Sequence, residues 1–308
     1  MPTDRVAERI KLHRMLGVTR PPKKITQEAF EGDDRHLRRL ARLSPGEQAD
    51  ANDLWEYVQD LLYTDIQSDL LAYLLPFCLQ AWHEDLRGIH DGYGGLIEYF
   101  YPVLADRHIF DLHLTAEQGA VVSEFMRQTI VEEIDDQRGL SFEGSRVRPY
   151  RWFRALTSFG VVRPEVDRLW ASWWTLDTVG RAVAAVQYTS CLMYPENENP
   201  VFRPWTSDRG GGPPGLWEFE GHLYSHRWQE RNVGFLREVL TAESVGEALV
   251  QAVERLAGQP EHAAAAAVLE DFPLCIATLK ARCVELPQLL ETTQNSSAML
   301  TWSAQGTS

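Results

Sequence analysis

Apolar residues recur along this chain with the three-to-four spacing of helices, and no stretch alternates convincingly with period two. Leu54, Val58, Leu61 and Leu62 form one stripe, with Asp53, Glu56 and Asp60 on the opposite side of the same cylinder. Ser44, Pro45 and Glu47 read as the capping box that starts this helix. Thr64 and Gln67 read as the box of the next, through Leu70, Leu71, Leu74, Leu75 and Leu79 toward Trp82, with Pro76 expected to kink or divide it. Thr115 and Gln118 cap a third, whose apolar set is Val121, Val122, Phe125, Met126, Ile130 and Ile134. Pro164 opens a Trp-rich helix with Leu169, Trp170, Trp173, Leu176 and Val183 on its apolar positions. Thr241 caps a helix carrying Val245, Leu249, Ala252, Val253 and Leu256. Pro260 starts an Ala-rich helix, and Pro273 starts or kinks the last one.

Between these lie weaker segments. Gly88–Gly95 is glycine-rich and reads as a loop, 139–163 is basic and aromatic without clear periodicity, and 194–215 holds five prolines and Gly210–Gly212. The expected fold is mainly α, bundle-like, with room for two helical subdomains. The expected divisions are a basic segment 1–43, an acidic helical domain 44–138, a Trp-rich helical domain 139–290 and a polar tail 291–308. Leu54-Trp55 and Leu169-Trp170, Cys78 and Cys191, and His113 and His226 recur at offsets of 115, 113 and 113 residues. A true repeat would share more positions than these.

Charge changes the picture more than composition does. The 308 residues hold 30 basic and 44 acidic side chains, net −14, which argues against a surface that neutralises phosphates. The excess is local. Residues 1–43 are net +5, 44–136 net −16, 137–168 net +4 and the remainder net −7. Negative charge gathered on amphipathic helices costs self-repulsion, and a basic partner is the reason that would offset it. The longest uninterrupted apolar run, Leu70–Leu79, is ten residues, half of what a membrane span needs, and the basic N-terminus lacks a secretory apolar stretch. The four cysteines have no paired spacing, so a disulfide scaffold or zinc ribbon is not indicated and a reducing cytoplasm is expected.

Candidate chemistry is thin. His222, His226 and Glu230, at i, i+4 and i+8, would share a helix face and could ligate a metal for hydrolysis. No Glu follows the first His, as a metalloprotease would require. His83-Glu84-Asp85 with His90-Asp91, and His108, Asp111 and His113, are polar clusters able to supply acid–base pairs. Arg146, Arg148, Arg151 and Arg154 interleave with Tyr150, Trp152 and Phe153, a mixture suited either to stacking on nucleic acid or to docking on the acidic block while the rings fill core. There is no nucleophile elbow, phosphate-binding loop or dinucleotide fingerprint, and no cofactor is expected.

Leu74-Leu75-Pro76-Phe77, Tyr99-Phe100 and Leu114-Thr115-x-Glu117-Gln118, with Val121 and Phe125, resemble an uncharacterised bacterial helical domain family over residues 25–136. The acidic, Trp-rich, motif-poor character is similar in type to immunity proteins of bacterial toxin systems, from which no residue correspondences follow. The resemblance implies a non-enzymatic cytoplasmic protein that binds a basic toxin domain, with no role for nucleic acid or membrane. The expected contact residues are Asp53, Glu56, Asp60, Asp65, Asp69, Glu124, Glu132 and Glu133, with Trp205 and Trp217 as aromatic anchors. The alternative is the metal-dependent hydrolase built on His222, His226 and Glu230.

Overall fold

Asp50, not Ser44, starts the first long amphipathic helix, because its carboxylate accepts from the Asn52 and Asp53 amides at 2.9 and 3.3 Å. Ser44 and Glu47 do pair, the Ser44 amide donating to Glu47 Oε2 at 2.6 Å, but they close a turn ahead of the helix. The computed structural model describes residues 2–87, 96–140, 148–194, 199–201 and 227–291. Among these the chain is mainly α, with no strand. The Gly88–Gly95 loop, the Gly210–Gly212 run and most of the tail lie outside the described residues. The chain forms two compact units, Met1–Thr129 and Ile130–Ser308.

The first unit contains α1 (Pro2–Met15), α2 (Arg35–Leu40), α3 (Ala51–Tyr63), α4 (Ser68–Leu86), α5 (Leu96–Asp106), α6 (Ile109–Leu112) and most of α7 (Ala116–Asp135), within which the division falls. The α4 helix is its centre. Every residue from Leu70 to Leu79 is buried, as expected of a helix apolar all round. It packs with α1, α3 and α5. Trp82 meets the edge of Tyr101 at 5.9 Å, and His13 from α1 wedges edge-on between Tyr73 and Phe77. Pro76 does not divide this helix. The hydrogen bond it forfeits is offset by burial on every side.

Gln67 is no capping partner of Thr64 either. Its carbonyl oxygen accepts from the Thr26 and Gln27 amides at 2.7 and 3.2 Å, and its amide donates to the Lys24 carbonyl at 2.9 Å. It clips the extended N-terminal segment against the start of α4. Thr64 instead closes α3, its hydroxyl donating to the Asp60 carbonyl at 2.9 Å. The Thr115–Gln118 box forms as expected at the head of α7, with reciprocal bonds of 3.0 and 3.2 Å.

The second unit holds the end of α7, then α8 (Arg148–Val162), α9 (Val166–Trp173), α10 (Val179–Met193), α11 (Glu230–Val239), α12 (Ala242–Arg255) and α13 (His262–Glu291). The helix expected from Pro164 through Val183 is two. Leu176 takes a left-handed φ of 55°, and Thr178 caps α10 by accepting from the Arg181 amide at 3.2 Å. The N-terminus of α10 runs so close to α7 that a Cβ on Gly180 would stand 2.1 Å from the Asp135 carbonyl oxygen. Asp135 accepts from Thr178 at 2.6 Å and from Arg181 at 2.8 and 3.0 Å. Residues without periodicity in the sequence form α8, and Gly160 within it leaves room for the Trp228 ring. Thr241 caps α12 in a box with Ser244. The helices expected on either side of Pro273 are one, thirty residues long.

Candidate functional site

The acidic stripe expected on α3 is largely turned inward. Asp53 is 6% exposed and binds Arg39 of α2 through two hydrogen bonds, of 2.8 and 2.5 Å. Asp60 is 3% exposed, and it accepts from His36 Nε2 at 2.6 Å and from the Phe30 amide at 2.8 Å. Glu56, on the exposed side, completes the set by facing His36 Nδ1 at 3.2 Å. Burial disfavours charge on His36, but the hydrogen bond and charge of Asp60, with the charge of Glu56, outweigh it and hold its pKa above the usual value. These carboxylates thus fasten α2 and the 30–36 segment onto α3. Asp53 and Asp60 are poorly placed as rim charges, because both are buried and each carboxylate oxygen is already engaged inside the unit.

The carboxylates that do reach solvent lie one step along the chain. Tyr63, the last residue of α3, stacks on Phe30 with centroids 4.4 Å apart, and the rings remain 57% and 55% exposed. Asp65 and Asp69 follow, both exposed. Ser68 Oγ lies 2.9 Å from His113 Nδ1, which brings the exposed Asp111 and Leu112 to the same region. Arg107 binds the Thr64 carbonyl at 2.7 Å from the same side. Glu28 and Glu31 flank Phe30 and are exposed, and Lys23 and Lys24 are exposed just before the Gln67 clip. The result is an exposed aromatic pair followed by exposed carboxylates, with the segment that carries Asp111 and the exposed Leu112 clipped to the same α3–α4 junction. Phe30, Tyr63 and Leu112 escape sequence reasoning, and Asp111 enters it only as part of a candidate acid–base cluster, because the 24–33 segment has no periodicity and the Phe30–Tyr63 stack forms only through tertiary packing.

Of the α7 carboxylates, Glu124 and Glu132 are exposed, and Glu124 pairs with Arg127 one turn on, at 2.5 Å. Glu133 is buried, and Gln137 donates to it at 3.1 Å, so it too serves the interior. Trp205, Trp217, His222 and His226 lie outside the described residues, and Glu230 is the exposed first residue of α11. Among the described residues no cluster of His, Cys, Asp or Glu could hold a metal ion.

Of the remaining polar clusters, the buried side chains on α4 hold the fold together. His83 and Glu84 are buried on α4, and Gln80 donates to Glu84 at 3.1 Å while accepting from the buried Arg9. Arg9 also binds the Pro45 and Glu47 carbonyls at 2.9 and 2.6 Å, tying α1 to the turn before α3. His90 and Asp91 lie outside the described residues. His108 is exposed in a left-handed conformation, φ 48°, at the turn between α5 and α6. Burial, then the Arg107 charge, lowers the pKa of His113, so this imidazole is mainly neutral near pH 7. Trp152 and Phe153 stack at 4.1 Å inside the core with Trp173 and Tyr188, which leaves those two rings unavailable to bases.

No family model, curated protein or solved structure matches the chain.

Proposed function

We propose that this chain is a non-enzymatic cytoplasmic inhibitor of the immunity-protein type, which binds a basic bacterial toxin domain and covers its working face. The observation that carries the reading is the exposed Phe30–Tyr63 stack, followed along the chain by the exposed Asp65 and Asp69, with the segment bearing Asp111 and Leu112 tied to the start of α4 through Ser68 and His113. Aromatic side chains standing in water at the centre of a patch are the usual anchors of protein interfaces. Carboxylates around them select a cationic partner and speed its approach. The contact surface therefore centres on the α3–α4 junction, with Glu56 at its margin, rather than on the whole α3 stripe. The overall negative charge repels phosphate and favours a protein partner over a nucleic acid.

The test begins with capture on the immobilised chain from extract of the native cell, elution with salt and identification of what elutes. Association with the purified partner is then measured at several ionic strengths. Replacing Asp65, Asp69 and Asp111 by Lys should slow association and flatten its salt dependence. Tyr63→Ala should act mainly on dissociation, by about 2 kcal/mol if Tyr63 is an anchor. Capture of only acidic proteins, or a basic partner indifferent to both variants, overturns the reading.

A further inference from the structure

The α13 helix has two apolar faces, and among the described residues only one of them is buried against neighbours in its unit. Leu279, Cys283, Leu286 and Leu290 are buried, where α13 packs with α10, α11 and α12. Leu274, Ala277, Ala281 and Val284 are exposed, with Leu274 at 84% and Val284 at 62% among the most exposed large apolar side chains described. At about 100° per residue the two sets centre nearly opposite one another. The exposed set is spaced three, four and three residues apart, the a and d positions of two heptads. The two alanines permit close approach of a second helix, and Leu274 and Val284 supply apolar area at either end. In that register Lys280 takes position g and Glu285 the following e position, and both are exposed on opposite margins of the stripe.

We propose that this face is where two copies of the chain pair, with their α13 helices parallel, Leu274, Ala277, Ala281 and Val284 at the seam, and Lys280 of each copy meeting Glu285 of the other. The charge pattern selects this occupant. A parallel pair of identical helices brings each g side chain to the e side chain five residues further along its neighbour, so one Lys and one Glu satisfy both margins by symmetry. The seam is bounded by Pro273 and Pro287, about 20 Å of helix, which leaves Glu270 before it rather than facing its own copy. By length and hydropathy alone α13 could cross a membrane, but Glu270 and Asp271 interrupt its apolar run, and its other face packs within its own unit.

The full chain is examined by sedimentation velocity and equilibrium from micromolar to hundred-micromolar concentration. A dimer mass is expected, and L274E/V284E, both at exposed positions, should be monomeric with unchanged helical circular dichroism. K280E and E285K should each weaken pairing by about tenfold, since each reversal places like charges at both symmetry-related margins, and the K280E/E285K double variant should recover it. A wild-type chain that stays monomeric throughout overturns the proposal. So does a dimer indifferent to L274E/V284E, a double variant no better than the singles, or co-sedimentation with neutral or anionic phospholipid vesicles that L274E/V284E abolishes. None of these outcomes bears on the α3–α4 surface, which belongs to the other unit.

Discussion

Replacing Asp60 by Ala tests whether the α3 carboxylates are fasteners rather than contact residues. Asp60 and His36 have side chains only 5% and 4% exposed, so solvent screens their pairing little. The substitution removes the acceptor of the Phe30 amide and the closer of the two carboxylates that hold His36 protonated. Below pH 6 the variant must either keep an imidazolium buried beside Glu56 alone or deprotonate it. Removing one partner of a buried pair costs about 3–5 kcal/mol. Once pH has risen through the raised folded value, His36 is neutral in both proteins, the charge contribution is gone and the cost of the substitution is smaller. The wild type itself should follow the same sign. A histidine pKa raised in the folded state contributes stability that is complete below the unfolded value of about 6.5 and disappears as pH rises through the folded one. Urea unfolding at pH 5.5 and pH 9, with hydrogen exchange on peptides covering residues 27–63 to locate the change, measures both. A cost below about 1 kcal/mol at pH 5.5, or a larger cost at pH 9 than at pH 5.5, refutes the reasoning.

Gly180→Ala should destabilise the second unit by about 2 kcal/mol, because its Cβ meets backbone atoms of Ile134 and Asp135 that no rotamer change can clear, and helix propensity returns at most about 1 kcal/mol. A melting temperature equal to or above that of the wild type would contradict this close approach. Asn232→Ala removes a buried amide that donates to the Gly160 and Arg163 carbonyls and accepts from the Val166 amide. At about 1 kcal/mol per bond, a loss near 3 kcal/mol is expected in denaturant unfolding, with faster exchange at residues 160–166.

What could be read from the residues was whatever is settled within a turn or two of helix. Thr115 with Gln118 and Thr241 mark true helix starts, and the stripes of α3 and α7 bury most of the residues their spacing selects, with Leu62 and Val121 only half-buried. The errors arise where a side chain that could act locally finds a better distant partner. Gln67 could cap α4 but clips residues 24–27, some forty positions earlier. Pro76 and Pro273 are local breakers, yet both helices continue through them. Leu176 fits a helical spacing, and only the left-handed turn between α9 and α10 shows that the helix has already ended. The His36–Asp60 and Arg39–Asp53 pairs span 24 and 14 residues, with one partner of each on the short helix α2. No pattern rule could join them, because the closing contact depends on how α2 lies against α3.

The same physics revises what the acidic block means. A window of 44–136 counts net −16, but the first unit also contains the basic residues before it, and residues 1–129 carry 14 basic and 21 acidic side chains, net −7. Arg39 docks on α3 and Arg9 on α4 and the turn before α3. Much of the apparent excess is thus spent in assembling the unit. A unit of net −7 carries a weaker local field than the −16 window suggests, so contacts at the patch must carry more of the affinity. Exposed carboxylates on a rim act mainly through the association rate, whereas a desolvated aromatic anchor governs dissociation. The Phe30–Tyr63 stack therefore outranks any single carboxylate around it. Tyr63→Ala should cost more affinity at physiological salt than neutralising Asp65 and Asp69 together, a ranking opposite to the one that charge counting along the sequence implies.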